Sequence, residues 1–178
     1  MGAQATLASV TITGFLAILL ARSLWHKTGR FLETVGFAQG YGLLPEAWTA
    51  PVVRLLIAVE ATSLLALLWP GLRQTGGVLA AALFAGYGLA MALALARGRS
   101  RIECGCGGPP QIVSAYTLMR NGVLTLLALA LALLPAGTVS PAEAAAAILA
   151  ALMLSAIHAT IERLASHLPN IRTGGSVK

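Results

Sequence analysis

The chain has 178 residues, of which 57% are hydrophobic and only 10% charged, with a formal net charge of +6 and a mean hydropathy of +0.82. A soluble domain carries about 25% charged residues, so this composition excludes an ordinary water-soluble fold and assigns most of the chain to lipid or to helix interfaces. The basic excess is accounted for by membrane topology and anionic headgroups and calls for no nucleic-acid partner.

Five stretches reach the roughly 20 apolar residues that a helix needs to span a bilayer: 5–21, 51–69, 76–96, 115–134 and 141–161. Continuous Ala/Leu runs without period-2 alternation argue against a membrane barrel. The expected fold is therefore an all-α integral membrane bundle of about five transmembrane helices, a four-helix core plus one. It forms a single domain over 1–167, with a disordered tail over 168–178.

The first span follows Met1-Gly2-Ala3-Gln4, which has no Lys or Arg, and is followed by Arg22 and Lys27 without a small-residue cleavage pattern. It reads as a retained helix rather than a secretory signal. The connection after it is about 25 residues long and interleaves Trp25, Phe31, Phe37, Tyr41 and Trp48 with His26, Lys27, Arg30, Glu33 and Glu46. That mixture suits a segment at headgroup depth, either a plain anchor or a lid over a site.

The second span carries Glu60 near its middle. A tight turn, Gly71 to Thr75, leads to the third span, where Gly77, Ala81 and Ala85 on one line and Ala82 and Gly86 on another have helix-packing spacing. The fourth connection is a plain turn ending in Ser140-Pro141, with Ser140 as N-cap and Pro141 at the first helical position.

The third connection holds the chemistry. Glu103-Cys104-Gly105-Cys106-Gly107-Gly108-Pro109-Pro110 contains both cysteines of the chain. A Cys-x-Cys pair closes into a small strained disulfide that is easily passed on. Arg97, Arg99 and Arg101 favour the thiolate, and the Gly/Pro run keeps the sulfurs out of helix. Thiol–disulfide exchange is the leading expectation. Two thiolates also suit a soft ion such as Cu(I) or Hg(II), with Cys104 and Cys106 as ligands, and a purely structural membrane partner with inert cysteines stays open.

Ionisable groups within the membrane are expensive. Arg54, Glu60, Arg120 and His158 fall in the leaflet that also holds the cysteine loop. Glu60 and Arg120 are expected either to form a buried ion pair between the second and fourth spans or to line a polar cavity under the loop. Such a cavity would serve a proton relay or take a quinone. His158 reads as a snorkelling residue near a helix end, and Arg54 likewise.

With five spans, nine basic residues (Arg22, Lys27, Arg30, Arg97, Arg99, Arg101, Arg163, Arg172 and Lys178) share one side against Arg73 on the other. By the positive-inside rule the N-terminus is outside and the cysteine loop cytoplasmic.

Cys104-Gly105-Cys106, then Ser114 and Arg120-Asn121, preceded by Phe37, Tyr41-Gly42-Leu43-Leu44-Pro45 and Glu60, resemble the methylamine utilisation protein MauE family of the wider MauE/DoxX group. The resemblance spans about residues 8–135. It implies a bacterial inner-membrane protein that helps mature the disulfide-rich small subunit of methylamine dehydrogenase, with a thioredoxin-like partner and an exported client. Cys104 and Cys106 are then the redox pair, with Glu60, Arg120 and Asn121 supporting them as motif residues and Arg101 and His158 as residues placed near the loop by their positions along the chain. Gly107 departs from the aromatic residue that the family shows after the second cysteine, which leaves the client open. Disulfide donation to an exported client would favour the opposite face to the one that the charges select.

Overall fold

The structure is a computed structural model that describes residues 2–99, 102, 112–134 and 137–173, without the side chains of 2–3, 70 and 167–173. Its helices are α1 (Gly2–Gly29), α2 (Phe31–Gly40), α3 (Glu46–Leu68), α4 (Arg73–Ala96), α5 (Ala115–Leu133) and α6 (Pro141–Thr173). A single 3-10 turn, Pro70–Leu72, joins α3 to α4. All of these helices except α2 are long and apolar enough to cross a membrane, so the expected five-span all-α bundle stands. The tail expected over 168–178 has its side chains, and from 174 its backbone, outside the described residues.

Each span forms because its buried residues recur on one helical face. In α1 these include Ser9, Leu16, Leu20, Ser23 and Lys27; in α5 they are Thr117, Arg120, Asn121, Leu124, Ala128 and Leu131. The opposite faces expose large aliphatics such as Leu65, Leu126, Leu133 and Leu149, the surface a bilayer would cover. The starts of α5 and α6 are capped. Ser114 and Thr117 form a reciprocal capping box, and Ser140 Oγ accepts from the backbone of Glu143 while Glu143 accepts from Ser140.

Helices α1, α3, α4 and α5 make the core, with α4 packed between α3 and α5 and α1 against α3. Helix α6 leans on α1 and is the least buried of the spans. Without a hydrophobic drive between helices in lipid, close packing comes from small residues. A Cβ at Gly14 would lie 2.9 Å from Ala151 of α6, and one at Gly77 would lie 3.0 Å from the Ala128 carbonyl oxygen of α5. The second small-residue line behaves differently. Ala82 and Gly86 are exposed, as is Ala85 of the first line, and a Cβ at Gly86 would meet nothing within 4 Å, because each residue step turns the helix by about 100° and so carries Ala82 and Gly86 off the α5-facing side.

Two boundaries differ from the sequence reading. Helix α1 runs about two turns past residue 21, to Gly29, so Arg22, Ser23 and Lys27 belong to the membrane helix rather than to a connection. Arg73 likewise opens α4 and is buried instead of marking an exposed turn. The remainder of the first connection folds as α2 against α3, while Trp25 and Trp48 stay exposed.

Candidate functional site

Four side chains from three helices meet around Glu60. Lys27, in the last turn of α1, donates from Nζ to Glu60 Oε1 on α3 and, at 2.9 Å, to the Tyr87 hydroxyl on α4. Tyr87 in turn donates to the same Glu60 oxygen at 2.7 Å, and Ser23 Oγ donates to it at 3.1 Å. Lys27 and Glu60 are 5% and 1% exposed. Neither charge would be tolerated alone at this depth; together they are neutral and hydrogen-bonded. Glu60 Oε2 is buried and has no hydrogen-bond partner among the described residues.

A second group centres on Glu162 of α6. Arg120 Nη1 of α5 donates to its Oε1 at 2.6 Å, and Arg22 Nη1 of α1 donates to Oε2 at 3.2 Å. His158, one turn before it, places Nε2 at 3.4 Å from Oε1 and meets Phe15 edge to face at 5.8 Å. Asn121 donates from Nδ2 to the Thr117 carbonyl at 2.9 Å and sits 3.6 Å from Met91 Sδ. Both groups contribute to the lining of one small cavity of about 40 Å³, the first through Ser23, Glu60 and Tyr87 and the second through Arg22, Arg120, His158 and Glu162. Its volume and its polar walls meet the requirements of a buried water.

Glu60 and Arg120 therefore do not pair with each other. Each has its own partner, Lys27 and Glu162 respectively, while Glu60, Arg120 and Glu162 all line the same small cavity. His158 points into this network instead of snorkelling, with 15% of its side chain exposed. Arg54 takes no part; it is exposed and stacks 5.3 Å over the Phe31 ring. Cys104, Cys106 and Arg101 lie outside the described residues. Sequence reasoning puts Lys27 in the first connection and passes over Tyr87 and Glu162, because the apolar runs end before residues 27 and 162 and a tyrosine carries no charge. The signal was present in the stripe Leu16, Leu20, Ser23, Lys27, which continues the buried face of α1.

A larger cavity of about 480 Å³ lies between α2, α3 and α4, within the range of small-molecule sites. Phe37 and Tyr41 wall it on one side, Val52, Leu56 and Val59 on a second, and Ala82, Gly86 and Met91 on a third. Lys27 and Tyr87 reach into it and are thus shared between the polar cluster and this apolar space.

The cysteine-bearing segment is rooted beside that cavity. Val113 N donates to the Ile102 carbonyl at 2.9 Å, which brings together the two ends of the segment 103–112. Val113 is buried with Tyr41, Met91 and Ala94, and Ile102 packs on the same cluster. Arg97 and Arg99 donate to the carbonyls of Gly42 (3.2 Å) and Gly40 (3.1 Å), strapping the end of α4 to the end of α2. These two guanidiniums are thus engaged at the root of the segment, with backbone acceptors of their own.

The two cavities also collect the motif residues: Phe37, Tyr41, Leu43 and Leu44 line the large one, and Glu60, Arg120 and Asn121 line the small one. Chemically each group holds proton donors and acceptors at hydrogen-bond distance: carboxylate, phenol and ammonium around Glu60, and carboxylate and imidazole around Glu162. No curated protein and no solved structure matches this chain. The family model of the methylamine utilisation protein MauE matches residues 5–135, which takes in α1 from Ala5 through α5 and leaves α6 outside. This multi-pass helical membrane protein belongs to the MauE family of methylamine utilisation.

Proposed function

We propose that this protein is a membrane thiol–disulfide redox protein, or an accessory factor of one, acting through Cys104 and Cys106 in maturation of the methylamine dehydrogenase small subunit. The observation that carries the reading is that both cysteines of the chain occupy the segment 103–112, whose roots, Ile102 and Val113, are hydrogen-bonded together and pack with Tyr41 and Met91, two wall residues of a membrane cavity that also holds part of a buried polar cluster. In this reading one thiolate attacks a partner disulfide or its own disulfide is attacked, and Gly105 lets the two sulfurs join and part. Arg101 supports the thiolate. Glu60, with Lys27 and Tyr87, and Arg120, with Glu162 and His158, manage protons beneath. A thioredoxin-like protein and an exported disulfide-containing client are the partners, in the bacterial inner membrane. The remaining basic residues Arg30, Arg97, Arg99, Arg101 and Arg163 support a cytoplasmic face for the segment, with the N-terminus outside.

Trapping with an alkylating mass tag in cells tests this: the pair should appear as oxidised and reduced populations that shift with external oxidant. Client disulfide formation left intact in a Cys106→Ser variant would overturn it. An impermeant thiol reagent applied to intact cells separates the two faces, since cytoplasmic cysteines stay unlabelled until the membrane is opened.

A further inference from the structure

The large cavity is mostly apolar, with Lys27, Thr34, Tyr41 and Tyr87 as its polar lining, and Lys27 is the one charged group among them. A lysine ammonium carries three N–H donors; Lys27 gives one to Glu60 and one to Tyr87, and the third has no oxygen partner among the described residues. Lys27 is 5% exposed and lines the cavity, so the third donor gains most from an acceptor placed inside it. The charge of Lys27 is already matched by Glu60. An anionic head, such as a fatty-acid carboxylate or a lipid phosphate, would bring in an unmatched buried charge, whereas a neutral carbonyl oxygen adds only a hydrogen bond. An acyl chain alone fills the apolar volume and leaves that donor without an acceptor.

The walls add shape to this. The rings of Phe37, Tyr41 and Tyr87 border the space, a setting suited to a flat ring. The exposed positions Ala82 and Gly86 leave the α4 side open toward lipid, and a Cβ at Gly86 would meet nothing within 4 Å. A tail attached to a bound ring can therefore pass out into the bilayer.

We propose that this cavity binds the ring of a lipid-soluble quinone, with a ring carbonyl accepting from Lys27 Nζ and the isoprenoid tail leaving past Ala82 and Gly86. The proposal extends the thiol redox reading by naming its electron acceptor. Two S–H groups give up two electrons and two protons to form the S–S bond, and the quinone takes both to become a hydroquinone, so the exchange balances without another reactant.

The test uses the full chain in lipid nanodiscs, carrying Cys104→Ser and Cys106→Ser so that binding is read apart from thiol chemistry. A photoreactive azidoquinone is the probe. Labelling should map to peptides spanning 34–44 or 82–91 and be competed by decylubiquinone. Gly86→Phe, which puts a ring at the lipid-facing opening where the tail would leave, should weaken it by roughly tenfold or more. The paired change Lys27→Met with Glu60→Gln, which leaves no orphaned charge, should do the same. Absence of competable labelling, labelling that maps elsewhere, or wild-type labelling in Gly86→Phe would overturn the site. So would a co-purifying phospholipid that excess quinone fails to displace. Competable labelling in a protein whose native thiols never cycle would keep the site and sink the redox reading; cycling thiols with no labelling would do the reverse.

Discussion

Lys27 Nζ donates to Glu60 Oε1, tying the last turn of α1 to the middle of α3 inside the bundle. The pair is neutral as a unit, so its energetic importance shows when it is split. Lys27→Met strands a buried carboxylate and should cost about 3–5 kcal/mol. Adding Glu60→Gln to that variant should recover much of the loss. Thermal unfolding of the three proteins in one detergent checks this; equal losses in the single and double variants would refute the coupling.

Glu162 has a parallel role for α6. Its carboxylate joins Arg120 of α5 and Arg22 of α1, and α6 otherwise leans on α1 alone with little burial. Glu162→Ala leaves the buried Arg120 short of its acidic partner, an expected loss of about 3–5 kcal/mol, and loosens α6 before the rest. Limited proteolysis in detergent should then cut the α5–α6 connection faster than in the wild type. Glu162→Gln, which retains an acceptor oxygen, should fall between the two.

Contact between α1 and α6 depends on the absence of a side chain at residue 14. A Cβ there would already approach Ala151 Cβ to 2.9 Å, so Gly14→Leu must push α6 outward. The overpacking should cost about 1–3 kcal/mol and be relieved little by shortening the alanine on the other side, since Ala151→Gly removes only one carbon. Spin-label distances between α1 and α6, rising by an ångström or more (an estimate from the added side chain), would register the displacement.

Much of this architecture was legible before any coordinates, because a bilayer leaves few choices for 20-residue apolar runs. The five spans, the Ser140 cap and the importance of Glu60 and Arg120 all followed from hydropathy and from the cost of intramembrane charge. The partners of those charges did not. Charged residues at positions 27 and 162 look like span terminators when read one at a time, yet they fall on the buried faces of α1 and α6, continuous with Leu16 and Leu20 or with Ala147 and Ala151. A hydropathy window penalises such residues; the three-to-four-residue periodicity retains them. The large cavity was equally hidden, since Ala82 and Gly86 carry the same pattern whether they contact a helix or border an opening.

Gly42 offers a way to probe the strap at the root of the cysteine segment. Its φ of +59° is a conformation that glycine adopts without the cost other residues bear. A Cβ there would also clash with Arg99 Nη1, the nitrogen that donates to the Gly40 carbonyl. Gly42→Ala therefore strains the turn by about 1–2 kcal/mol and expels the Arg99 guanidinium from its seat. Because Arg97 and Arg99 fasten the end of α4 to the end of α2, just before Ile102 enters the Tyr41 and Val113 cluster, the change should reach the cysteines. The measurement is the alkylation rate of Cys104 and Cys106 in detergent, expected to rise in Gly42→Ala. Arg99→Gln, which weakens the strap without straining the glycine, should raise it as well. If Gly42→Ala lowers the melting temperature while both variants keep the wild-type alkylation rate, the turn is structural only and the strap does not govern access to the thiols.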